Sequence, residues 1–415
     1  MKCGLIGVNL SYSFSQELHG KIAGYEYFLQ ELSPEEVEPF LQKGDFDGLN
    51  VTIPYKQAVL PYLDGVSERA ERIGAVNTVV RRDGRLWGDN TDYWGMQALL
   101  AQLSVSVRGK KVLILGTGGT SRTAKAVLED LGAETILKVS RTGREGALTY
   151  ARAAEQGDVD LVINTTPVGT AVQDADGGRA EMRPVSLTHF PCLQGAADVI
   201  YNPLRTDLLL QARRLGVPAA GGLYMLVAQA VYAAALFRNV AVDAEVVGRV
   251  YRDFLREKEN IVLVGMPGCG KSTAGRILAR RLGRQFVDTD AVLEEQLGCT
   301  PGTYIRSQGE GAFRQAEEVA VARVSRMHNC VIATGGGTVL SGNNVRNLQH
   351  NGRLYFLDRS LEKLPVTDDR PLSAGRQQLT ELYHRRRPYY LQGADVVVPA
   401  DGSVEQTVMS VLGER

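Results

Sequence analysis

Two short apolar runs stand out along the chain because each leads directly into a glycine-rich loop and then into a stretch with helical periodicity. The first is KVLIL at 111–115, followed by GTGG at 116–119. The second is IVLV at 261–264, followed by GMPGCGKS at 265–272. An uninterrupted apolar run is typical of a strand buried on both faces of a parallel sheet. The patterns lie about 150 residues apart, which predicts two α/β domains that each carry a nucleotide-binding turn.

The pattern divides the first half of the chain further, into two lobes. Residues 1–100 alternate short apolar strands with helices and predict one α/β lobe, and residues 101–215 form the first nucleotide-binding unit. The stretch 221–237 is apolar on most sides and predicts a helix that, with its neighbours in 216–250, returns to complete the first lobe. A cleft between the lobes is the expected place for a small-ligand site.

The boundary between the two halves is predicted at the charge run YRDFLREKEN, residues 251–260, directly before the second apolar run. The same letters also fit the exposed last turns of a helix, and under either alternative few core contacts cross this segment. Residues 261–415 then form the second domain. A chain of 415 residues is too long for one ordinary core, which agrees with this division.

Composition limits the partners that we expect. The 47 basic and 47 acidic residues balance, so nothing indicates a nucleic acid or an anionic membrane as partner. The five cysteines are scattered without a CxxC pair, which is typical of free thiols in a reducing cytosol and suggests no metal site. The N-terminus lacks the long apolar stretch of a signal peptide, and the apolar stretch 225–237 is too short to span a bilayer. We therefore expect a cytoplasmic protein, whose oligomeric state the sequence does not indicate.

The first glycine loop has the features of a dinucleotide site, in which N–H groups at a helix N-terminus hold a pyrophosphate. The residues placed to do so are Gly116, Gly118, Gly119, Thr120 and Ser121. Ser121 stands where the usual fingerprint has its third glycine. The next predicted strand, 134–139, ends in Ser140, Arg141 and Thr142, where an NAD enzyme usually carries an acidic residue. A guanidinium matches a 2′-phosphate, so Arg141 favours NADP over NAD, although a solvent-exposed surface arginine is the alternative.

Further segments of the first half resemble shikimate dehydrogenase over roughly residues 3–250. These segments are SFS at 13–15 with His19, GLNVTIPYK at 48–56, GAVNT at 74–78, GDNTD at 88–92, and the helix GLYMLVAQ at 222–229. The resemblance implies an α/β substrate-binding domain, 1–100 completed by helices from 216–250, and a Rossmann-like NADP-binding domain at 101–215. It also implies a cofactor contact at Gly222. The substrate-binding residues that it implies are Ser13, Ser15, Thr52, Asn77, Asp92, Tyr201 and Gln229.

Two of these residues, Lys56 and Asp92, would carry the chemistry. Reduction of a ring ketone by NADPH leaves negative charge on the oxygen, and a proton must reach that atom. Lys56 would supply or relay the proton and stabilise the developing alkoxide, while Asp92 would orient the lysine and bind the substrate. Taken singly, the two residues also fit a surface lysine and a helix N-cap, as Gln229 fits a polar position on a helix. Their occurrence together, in the order of the family, favours the functional interpretation.

The chain departs from the family pattern near the predicted substrate site. Tyr12 and Gln16 replace the usual His and Pro around the serine pair, and Tyr224 stands where a small residue is more typical. The first helix and the loop before Phe46 are also several residues shorter than usual. These differences bear on the identity of the substrate more than on the type of reaction.

The second glycine loop is a full Walker A motif. In such a motif backbone N–H groups cradle phosphates, a lysine reaches the β- and γ-phosphates, and a hydroxyl binds Mg²⁺; here the last two are Lys271 and Ser272. The residues predicted to hold the nucleotide are Gly268, Cys269, Gly270, Lys271, Ser272 and Thr273. The motif predicts ATP and Mg²⁺ but does not identify the phosphoryl acceptor.

Residues 261–398 resemble shikimate kinase, a P-loop fold with a parallel sheet, and this resemblance narrows the acceptor. It implies that Asp290 holds the acceptor hydroxyl and acts as base, while Asp288 helps to hold Mg²⁺ through water. Two arginines from different segments, Arg314 and Arg386, would clamp the substrate carboxylate. The alternatives are that these arginines are helix-surface charges and that the aspartates are helix caps.

The same resemblance implies two more features of the kinase site. Gly336 and Gly337 would place backbone N–H groups beside the substrate, and Arg370 would meet the transferring phosphoryl group. Between 358 and 370 the chain is about one helical turn shorter than the family usually is. The arginine that normally lies against the adenine therefore has no assigned counterpart.

Together the two halves predict successive reactions on one compound. The first would reduce 3-dehydroshikimate to shikimate with NADPH, and the second would phosphorylate the 3-hydroxyl of shikimate with ATP and Mg²⁺. We therefore predict a bifunctional enzyme of the shikimate pathway, which leads to chorismate and the aromatic amino acids. Two alternatives stay open for the first half, a quinate-type dehydrogenase or a binding domain without catalysis attached to an active small-molecule kinase.

Overall fold

The structure is a computed structural model and describes residues 1–10, 13–22, 24–170, 183–366 and 375–415. The described chain divides into two compact units. Unit 1 contains residues 1–170, 183–202 and 208–254, and unit 2 contains residues 203–207 and those from 255 to 415. All five cysteines are free, which confirms that prediction. Within the described ranges, no helix combines the length and the apolar character that a membrane crossing requires.

Unit 1 begins with a six-stranded mixed sheet. Its strands are β1 (Lys2–Gly7), β2 (Glu26–Glu31), β3 (Gly48–Val51), β4 (Gly65–Val66), β5 (Thr78–Arg82) and β6 (Arg85–Asp89), and its helices are α1 (Ser15–Ile22), α2 (Val37–Lys43), α3 (Glu68–Ile73) and α4 (Asp92–Ala101). The strand order is β2-β1-β3-β5-β6-β4, with β5 antiparallel to both β3 and β6. The end of β3, the start of β5 and the end of β6 therefore meet at one edge of the sheet.

The second sheet of unit 1 has five strands, all parallel. Its strands are β7 (Lys111–Leu115), β8 (Thr135–Val139), β9 (Leu161–Asn164), β10 (Gly195–Asp198) and β11 (Ala219–Gly221), and the helices of this part of the chain are α5 (Gly119–Asp130), α6 (Tyr150–Ala154), α7 (Asp207–Arg214), α8 (Gly222–Arg238) and α9 (Ala244–Lys258). The order is β11-β10-β9-β7-β8, so β7 lies between β8 and β9. Ligands of open parallel sheets bind beyond the carboxyl ends of the strands at such a switch point, where the first glycine loop begins.

The apolar helix α8 packs against the first sheet and its helices. A Cβ added to Gly95 of α4 would lie 2.8 Å from the carbonyl oxygen of Met225, and one added to Gly48 of β3 would lie 2.3 Å from the Phe237 ring. Glycine at these two positions is what allows the α8 backbone and the Phe237 ring to approach so closely. The charge run at 251–260 continues α9 through Lys258, and the next strand begins at Asn260, so this segment forms the last turns of a helix.

Unit 2 is built around a second five-stranded parallel sheet. Its strands are β12 (Asn260–Val264), β13 (Gln285–Asp288), β14 (Cys330–Ala333), β15 (Gly352–Asp358) and β16 (Val396–Pro399), and its helices are α10 (Lys271–Leu282), α11 (Thr289–Leu297), α12 (Pro301–Ser325), α13 (Gly342–Asn351), α14 (Arg376–Gly393) and α15 (Val404–Gly413). The order is β13-β14-β12-β15-β16, so the Walker A loop leaves the sheet at its switch point. The predicted α/β class, with a parallel sheet behind each glycine loop, is confirmed.

Candidate active sites

Unit 1 contains a cavity of about 580 Å³ at the edge of the first sheet. The structure brings to its wall the polar side chains that the sequence predicted to bind or act on a substrate. These residues are Ser13, Ser15, Thr52, Lys56, Asn77, Asp92, Tyr201 and Gln229. Thr120, in the first turn of α5 directly after the glycine loop, and Gly222 of α8 also line the cavity. The side chains predicted to bind the substrate and the first turn of the helix after the glycine loop therefore face one space.

Lys56 and Asp92 meet in this cavity although they come from different segments. Lys56 lies in the turn after β3, and Asp92 is the first residue of α4, where the helix dipole favours a carboxylate. The Lys56 Nζ donates to Asp92 Oδ2 at 2.5 Å, and the two side chains are 27% and 13% exposed. An ammonium group and a carboxylate thus stand side by side at the cavity wall.

The amide of Asn77 has its orientation fixed by hydrogen bonds. The backbone N–H of Thr91, which can only donate, lies 2.6 Å from Asn77 Oδ1, and the Thr91 hydroxyl donates to the same oxygen at 3.2 Å. The carbonyl end of Asn77 therefore faces the protein. Its Nδ2 is the end left for a ligand in the cavity, where it can donate to a hydroxyl or carboxylate oxygen.

The serine pair and His19 have different surroundings. Ser13 Oγ donates to Ser15 Oγ at 3.0 Å, and both serines line the cavity. His19 is fully buried, stacks on the Tyr27 ring at 4.0 Å and is not among the cavity-lining residues. Burial lowers the pKa of His19 to about 3, so its imidazole is neutral. The histidine thus belongs to the packing behind the serine pair.

Two departures from the family pattern lie away from the cavity wall. Gln16 Nε2 donates to the carbonyl oxygen of Tyr27 at 3.0 Å, and the Tyr224 ring packs against Tyr251 with centroids 4.8 Å apart. Neither Gln16 nor Tyr224 is among the residues that line the cavity. Tyr12 lies outside the described residues. The replacements at Gln16 and Tyr224 therefore leave the predicted cavity residues in place.

The first glycine loop fits a pyrophosphate. Gly116 has φ 114°, which favours glycine, and its N–H donates to the Val139 carbonyl oxygen at 2.8 Å. Gly118 is the N-cap residue of α5, and no side chain of the cap bonds to the first N–H groups of the helix. The space beside the loop is open, because a Cβ added to Gly118 or Gly119 would have no neighbour within 4 Å. The N–H groups of the first turn of α5 are therefore open to an anion. Ser121, in place of the third glycine, is buried against the rest of the lobe.

The residues after β8 lie beside this loop. Leu115 of β7 pairs with Val139 of β8 in parallel register, so Gly116 and Ser140 leave the same edge next to each other. Ser140 Oγ accepts from the Gly143 N–H at 3.0 Å and fixes the turn, while Arg141 and Thr142 are exposed. A guanidinium at this place can meet a ribose phosphate whose pyrophosphate lies on the glycine loop.

The Walker A loop of unit 2 has the backbone of a phosphate cradle. Gly268 and Gly270 have φ 79° and 101°, and Gly270 caps α10 without a side-chain hydrogen bond. The Lys271 side chain is buried, and its Nζ donates to the carbonyl oxygens of Gly265 at 2.9 Å and Met266 at 3.0 Å. The lysine therefore lies within the curve of the loop, where phosphate oxygens would replace the carbonyl groups as its partners.

Ser272 and Asp288 come together next to this cradle. The Ser272 hydroxyl donates to Asp288 Oδ2 at 2.7 Å. In the parts of the chain that the structure describes, no cluster of three His, Cys, Asp or Glu side chains could hold a metal by itself. A hydroxyl and one carboxylate are the donor set expected for Mg²⁺, which keeps several waters and takes its other ligands from substrate phosphates. The residues present therefore fit the predicted ion.

The glycine turn after β14 collects the predicted acceptor residues. A Cβ added to Gly335 would lie 2.6 Å from Asp290 Oδ1, and one added to Gly337 would lie 2.5 Å from a guanidinium nitrogen of Arg314. A Cβ on Gly336 would lie 2.7 Å from the ring of Pro267, which belongs to the Walker A loop. The carboxylate of Asp290, the cation of Arg314 and the phosphate cradle thus surround one turn.

The ionisation of Asp290 is shifted by its surroundings. Burial and the neighbouring carboxylate of Asp288 raise the pKa of Asp290 to about 6, against the opposing effect of Lys271. A carboxyl group with this pKa is ionised at neutral pH and still basic enough to accept a proton. Asp290 therefore has the properties of a general base.

Arg386 is buried, and among the described residues no carboxylate pairs with its guanidinium. Burial lowers the pKa of Arg386, contact with Tyr390 opposes this, and the like charge of Arg314 lowers the pKa further. Arg314 itself is held by Glu317 at 2.8 Å and Glu310 at 3.1 Å. A buried cation without a counter-ion, beside a second arginine, is the arrangement that an anionic ligand completes.

Some of the sequence-based predictions cannot be placed, and some site residues were missed. Arg370 lies outside the described residues. The buried Asn50 lines the cavity of unit 1, Glu317 holds Arg314, and the Tyr390 hydroxyl donates to the Gly336 carbonyl oxygen at 2.5 Å. The signal for Asn50 was an asparagine inside an apolar strand. The signal for Glu317 and Tyr390 was a polar residue three or four positions after an arginine on a helix.

Comparison with known proteins covers both units. Two family models match the chain, the shikimate dehydrogenase substrate binding domain at residues 5–79 and shikimate kinase at residues 267–415. The shikimate dehydrogenase (NADP(+)) of Clostridium perfringens is 34% identical over 274 residues, which are 60% of this chain and 97% of that protein.

Solved structures that are similar to this chain belong to the same family as this relative. Shikimate dehydrogenase 1 from Peptoclostridium difficile is 30% identical with a TM-score of 0.55, over 61% of this chain and 97% of that one. The enzyme from Thermus thermophilus, solved in complex with NADP(H) and shikimate, is 28% identical with a TM-score of 0.54, over 61% of this chain and 99% of that one. The chain therefore belongs to the shikimate dehydrogenase family and, with a shikimate kinase domain following in the same polypeptide, is a bifunctional enzyme of the shikimate pathway.

Proposed function

We propose that unit 1 reduces 3-dehydroshikimate to shikimate with NADPH. The contact of Lys56 with Asp92 at 2.5 Å, in a cavity that is also lined by Thr120 in the first turn of the helix after the glycine loop, is the observation that carries this proposal. A proton donor next to a cofactor loop is what the reduction of a ketone requires. The polar wall of the cavity suits a ring that carries hydroxyl groups and a carboxylate.

The residues of the cavity divide the work of reduction. NADPH, when bound, supplies the hydride that adds to the carbonyl carbon. The Lys56 ammonium donates a proton to the carbonyl oxygen as negative charge develops there, and Asp92 holds the ammonium in position. Asn77 Nδ2, the serine pair and Gln229 bind the hydroxyl and carboxylate groups and fix the ring relative to Lys56.

The test of this proposal is steady-state reduction by the full chain, followed by NADPH absorbance. We expect kcat/KM for 3-dehydroshikimate to exceed that for 3-dehydroquinate. The reverse order would favour the quinate-type alternative. Binding of shikimate to the cavity without any oxidation of NADPH would favour a domain that does not catalyse.

Loss of the Arg141 charge is expected to reduce the preference for NADPH. In Arg141→Met, KM for NADPH should rise by about 10- to 100-fold because a charged hydrogen bond to the 2′-phosphate is lost. KM for NADH should change little. The exposed Arg214, at the end of α7, offers a matched control as Arg214→Met. Equal KM values for NADPH in Arg141→Met and the unchanged chain would contradict the assignment of Arg141.

We propose that unit 2 phosphorylates the 3-hydroxyl of shikimate with ATP and Mg²⁺. The observation that carries this proposal is Arg386, a buried guanidinium without a carboxylate partner among the described residues, beside Arg314 and the glycine turn. The product of unit 1 carries both the carboxylate that such a pair binds and a hydroxyl that Asp290 can deprotonate.

Shikimate-dependent release of ADP, with shikimate 3-phosphate as product, would test the proposal, and equal turnover of quinate would contradict it.

The residues of unit 2 position the reactants and neutralise charge. ATP supplies the phosphoryl group, and the Walker A loop with Lys271 would hold its phosphates, while Ser272 and Asp288 would help to hold Mg²⁺. Asp290 accepts the proton of the acceptor hydroxyl. We propose that Arg370 meets the transferring phosphoryl group, as the family resemblance implies. Positioning and electrostatics, rather than covalent catalysis, supply most of the acceleration in such transfers.

The phosphorylation step is expected to depend on pH through Asp290. The base must be ionised, and its pKa is raised to about 6, so kcat/KM for shikimate should fall by about tenfold for each pH unit below that value. Above pH 7 the same rate constant should be level with respect to this group. A pH profile of kcat/KM checks this, and an acid limb with a midpoint near pH 4 would contradict a raised pKa.

A further inference from the structure

A buried threonine, Thr78, lies behind the cavity of unit 1 at the centre of a polar network. Thr78 is the first residue of β5 and is fully buried. It pairs directly with Asn50 of β3 and with Asp89 of β6, because β5 lies between these strands. The Thr78 hydroxyl is 3.0 Å from Asn77 Oδ1, 3.0 Å from the Thr91 hydroxyl and 3.2 Å from Asn50 Nδ2.

The orientations of the two amides in this network follow from their hydrogen-bond partners. Asn77 Oδ1 is the carbonyl end of its amide, because it faces the backbone N–H of Thr91, so in its contact with Thr78 the hydroxyl is the donor. In the contact between the Thr78 and Thr91 hydroxyls either oxygen can be the donor. Asn50 Nδ2 faces the backbone carbonyl oxygen of Asn77 at 3.4 Å and can only donate, so Thr78 accepts from it. The Tyr27 hydroxyl donates to Asn50 Oδ1 at 2.8 Å. The bonds therefore fix the orientations of both amides.

These orientations matter because the partners of Thr78 face the substrate cavity. Asn50 and Asn77 both line the cavity, whereas Thr78 does not. Thr91 is the N-cap residue of α4, directly before Asp92, which holds Lys56. One hydroxyl thus touches two cavity amides and the start of the helix that carries the catalytic pair.

We propose that Thr78 is a positioning residue for the reduction, whose hydroxyl holds the Asn50 and Asn77 amides together and firmly in place toward the substrate. This proposal rests on the proposed reduction of 3-dehydroshikimate. The hydroxyl acts on the ring of the substrate through these amides, since Thr78 itself does not line the cavity. Its loss weakens substrate binding more than it weakens binding of NADPH, since both amides keep their other partners but are held less firmly toward the cavity.

Kinetics of the full chain with Thr78→Val, Thr78→Ser and Thr78→Cys test this proposal. Valine keeps the shape of threonine without the hydroxyl, and we expect KM for 3-dehydroshikimate to rise by about tenfold with KM for NADPH unchanged. Serine retains the hydroxyl and should return KM to within about twofold of the unchanged chain. Cysteine has nearly the shape of serine but is a weak hydrogen-bond donor, so KM for 3-dehydroshikimate should be higher in Thr78→Cys than in Thr78→Ser. This comparison still tests the proposal if Thr78→Val does not fold.

The control is a buried threonine outside this network. Thr407 of α15 is buried, and its hydroxyl donates to the Ser403 carbonyl oxygen at 3.3 Å, so Thr407→Val makes the same chemical change in unit 2. It should leave KM for 3-dehydroshikimate unchanged. Equal KM values in Thr78→Cys and Thr78→Ser, or a parallel rise of both substrate and NADPH KM, would overturn the role of Thr78. Absence of reduction by the unchanged chain would instead contradict the proposed function.

Discussion

Replacement of Lys56 by methionine is expected to lower kcat for the reduction of 3-dehydroshikimate by about 10²- to 10⁴-fold, the range typical of a lost general acid. The methionine cannot donate a proton, and it leaves the partly buried Asp92 carboxylate without its partner at 2.5 Å. Steady-state NADPH oxidation measures this effect. Phosphorylation of supplied shikimate should continue at the rate of the unchanged chain, because its residues belong to unit 2.

Two further variants separate proton donation from charge and from folding. Lys56→Arg keeps the positive charge beside Asp92 but cannot release a proton near neutral pH, so we expect it to be as slow as the methionine variant. Lys125 is an exposed lysine of α5 that pairs with Glu129, and Lys125→Met should leave kcat unchanged. Full reduction by Lys56→Arg would show that charge alone suffices and would contradict proton donation by Lys56.

Replacement of Asp290 by asparagine is expected to lower kcat for phosphorylation of shikimate by about 10²- to 10⁴-fold, because the amide cannot accept the proton of the acceptor hydroxyl. The amide has almost the same size, so the turn at Gly335, which approaches Asp290, should keep its place. Shikimate-dependent ADP release measures this effect. Reduction of 3-dehydroshikimate should be unchanged.

A carboxylate on the same helix provides the control for this variant. Glu295 of α11 is exposed, and Glu295→Gln neutralises one charge outside the acceptor residues. We expect its kcat for phosphorylation to stay within about twofold of the unchanged chain, as is usual for surface substitutions. Equal losses in Asp290→Asn and Glu295→Gln would show a general charge effect and contradict a base at residue 290.

The nucleotide loops could be predicted from the sequence because their signals are local. An apolar strand, a glycine loop and a helix follow one another within about 20 residues, and the order of letters determines the backbone. The structure places both loops at the switch points of parallel sheets, after β7 and β12. The charge run at 251–260 is a weaker signal, since the same letters fit a linker or the end of a helix.

The substrate cavity depends on contacts between distant segments, which the letters alone do not determine. Lys56 and Asp92 are 36 positions apart and meet because β3 and β6 both end at the edge of a mixed sheet where β5, which lies between them, begins. Family resemblance, rather than periodicity, identified this pair. Asn50 and Thr78 were missed as site residues because a polar residue inside a strand is explained only when the register shows its partners on neighbouring strands.

The kinase site shows the same division between local and distant information. Arg314 and Arg386 were predicted by resemblance, but the sequence does not show that Arg386 is buried without a carboxylate partner among the described residues. That property depends on how α12, α14 and the glycine turn pack. Arg370 remains a prediction.

The most direct measurement of the central claim is a one-pot reaction of the purified full chain with 3-dehydroshikimate, NADPH, ATP and Mg²⁺, with products resolved by chromatography. If two sites on one polypeptide act in sequence, one NADPH is oxidised for each 3-dehydroshikimate consumed. Shikimate then appears transiently and is converted to shikimate 3-phosphate, with an equal amount of ADP. Oxidation of NADPH that stops at shikimate, with ATP untouched, would contradict the kinase half. Phosphorylation of added shikimate without any reduction of 3-dehydroshikimate would contradict the other half.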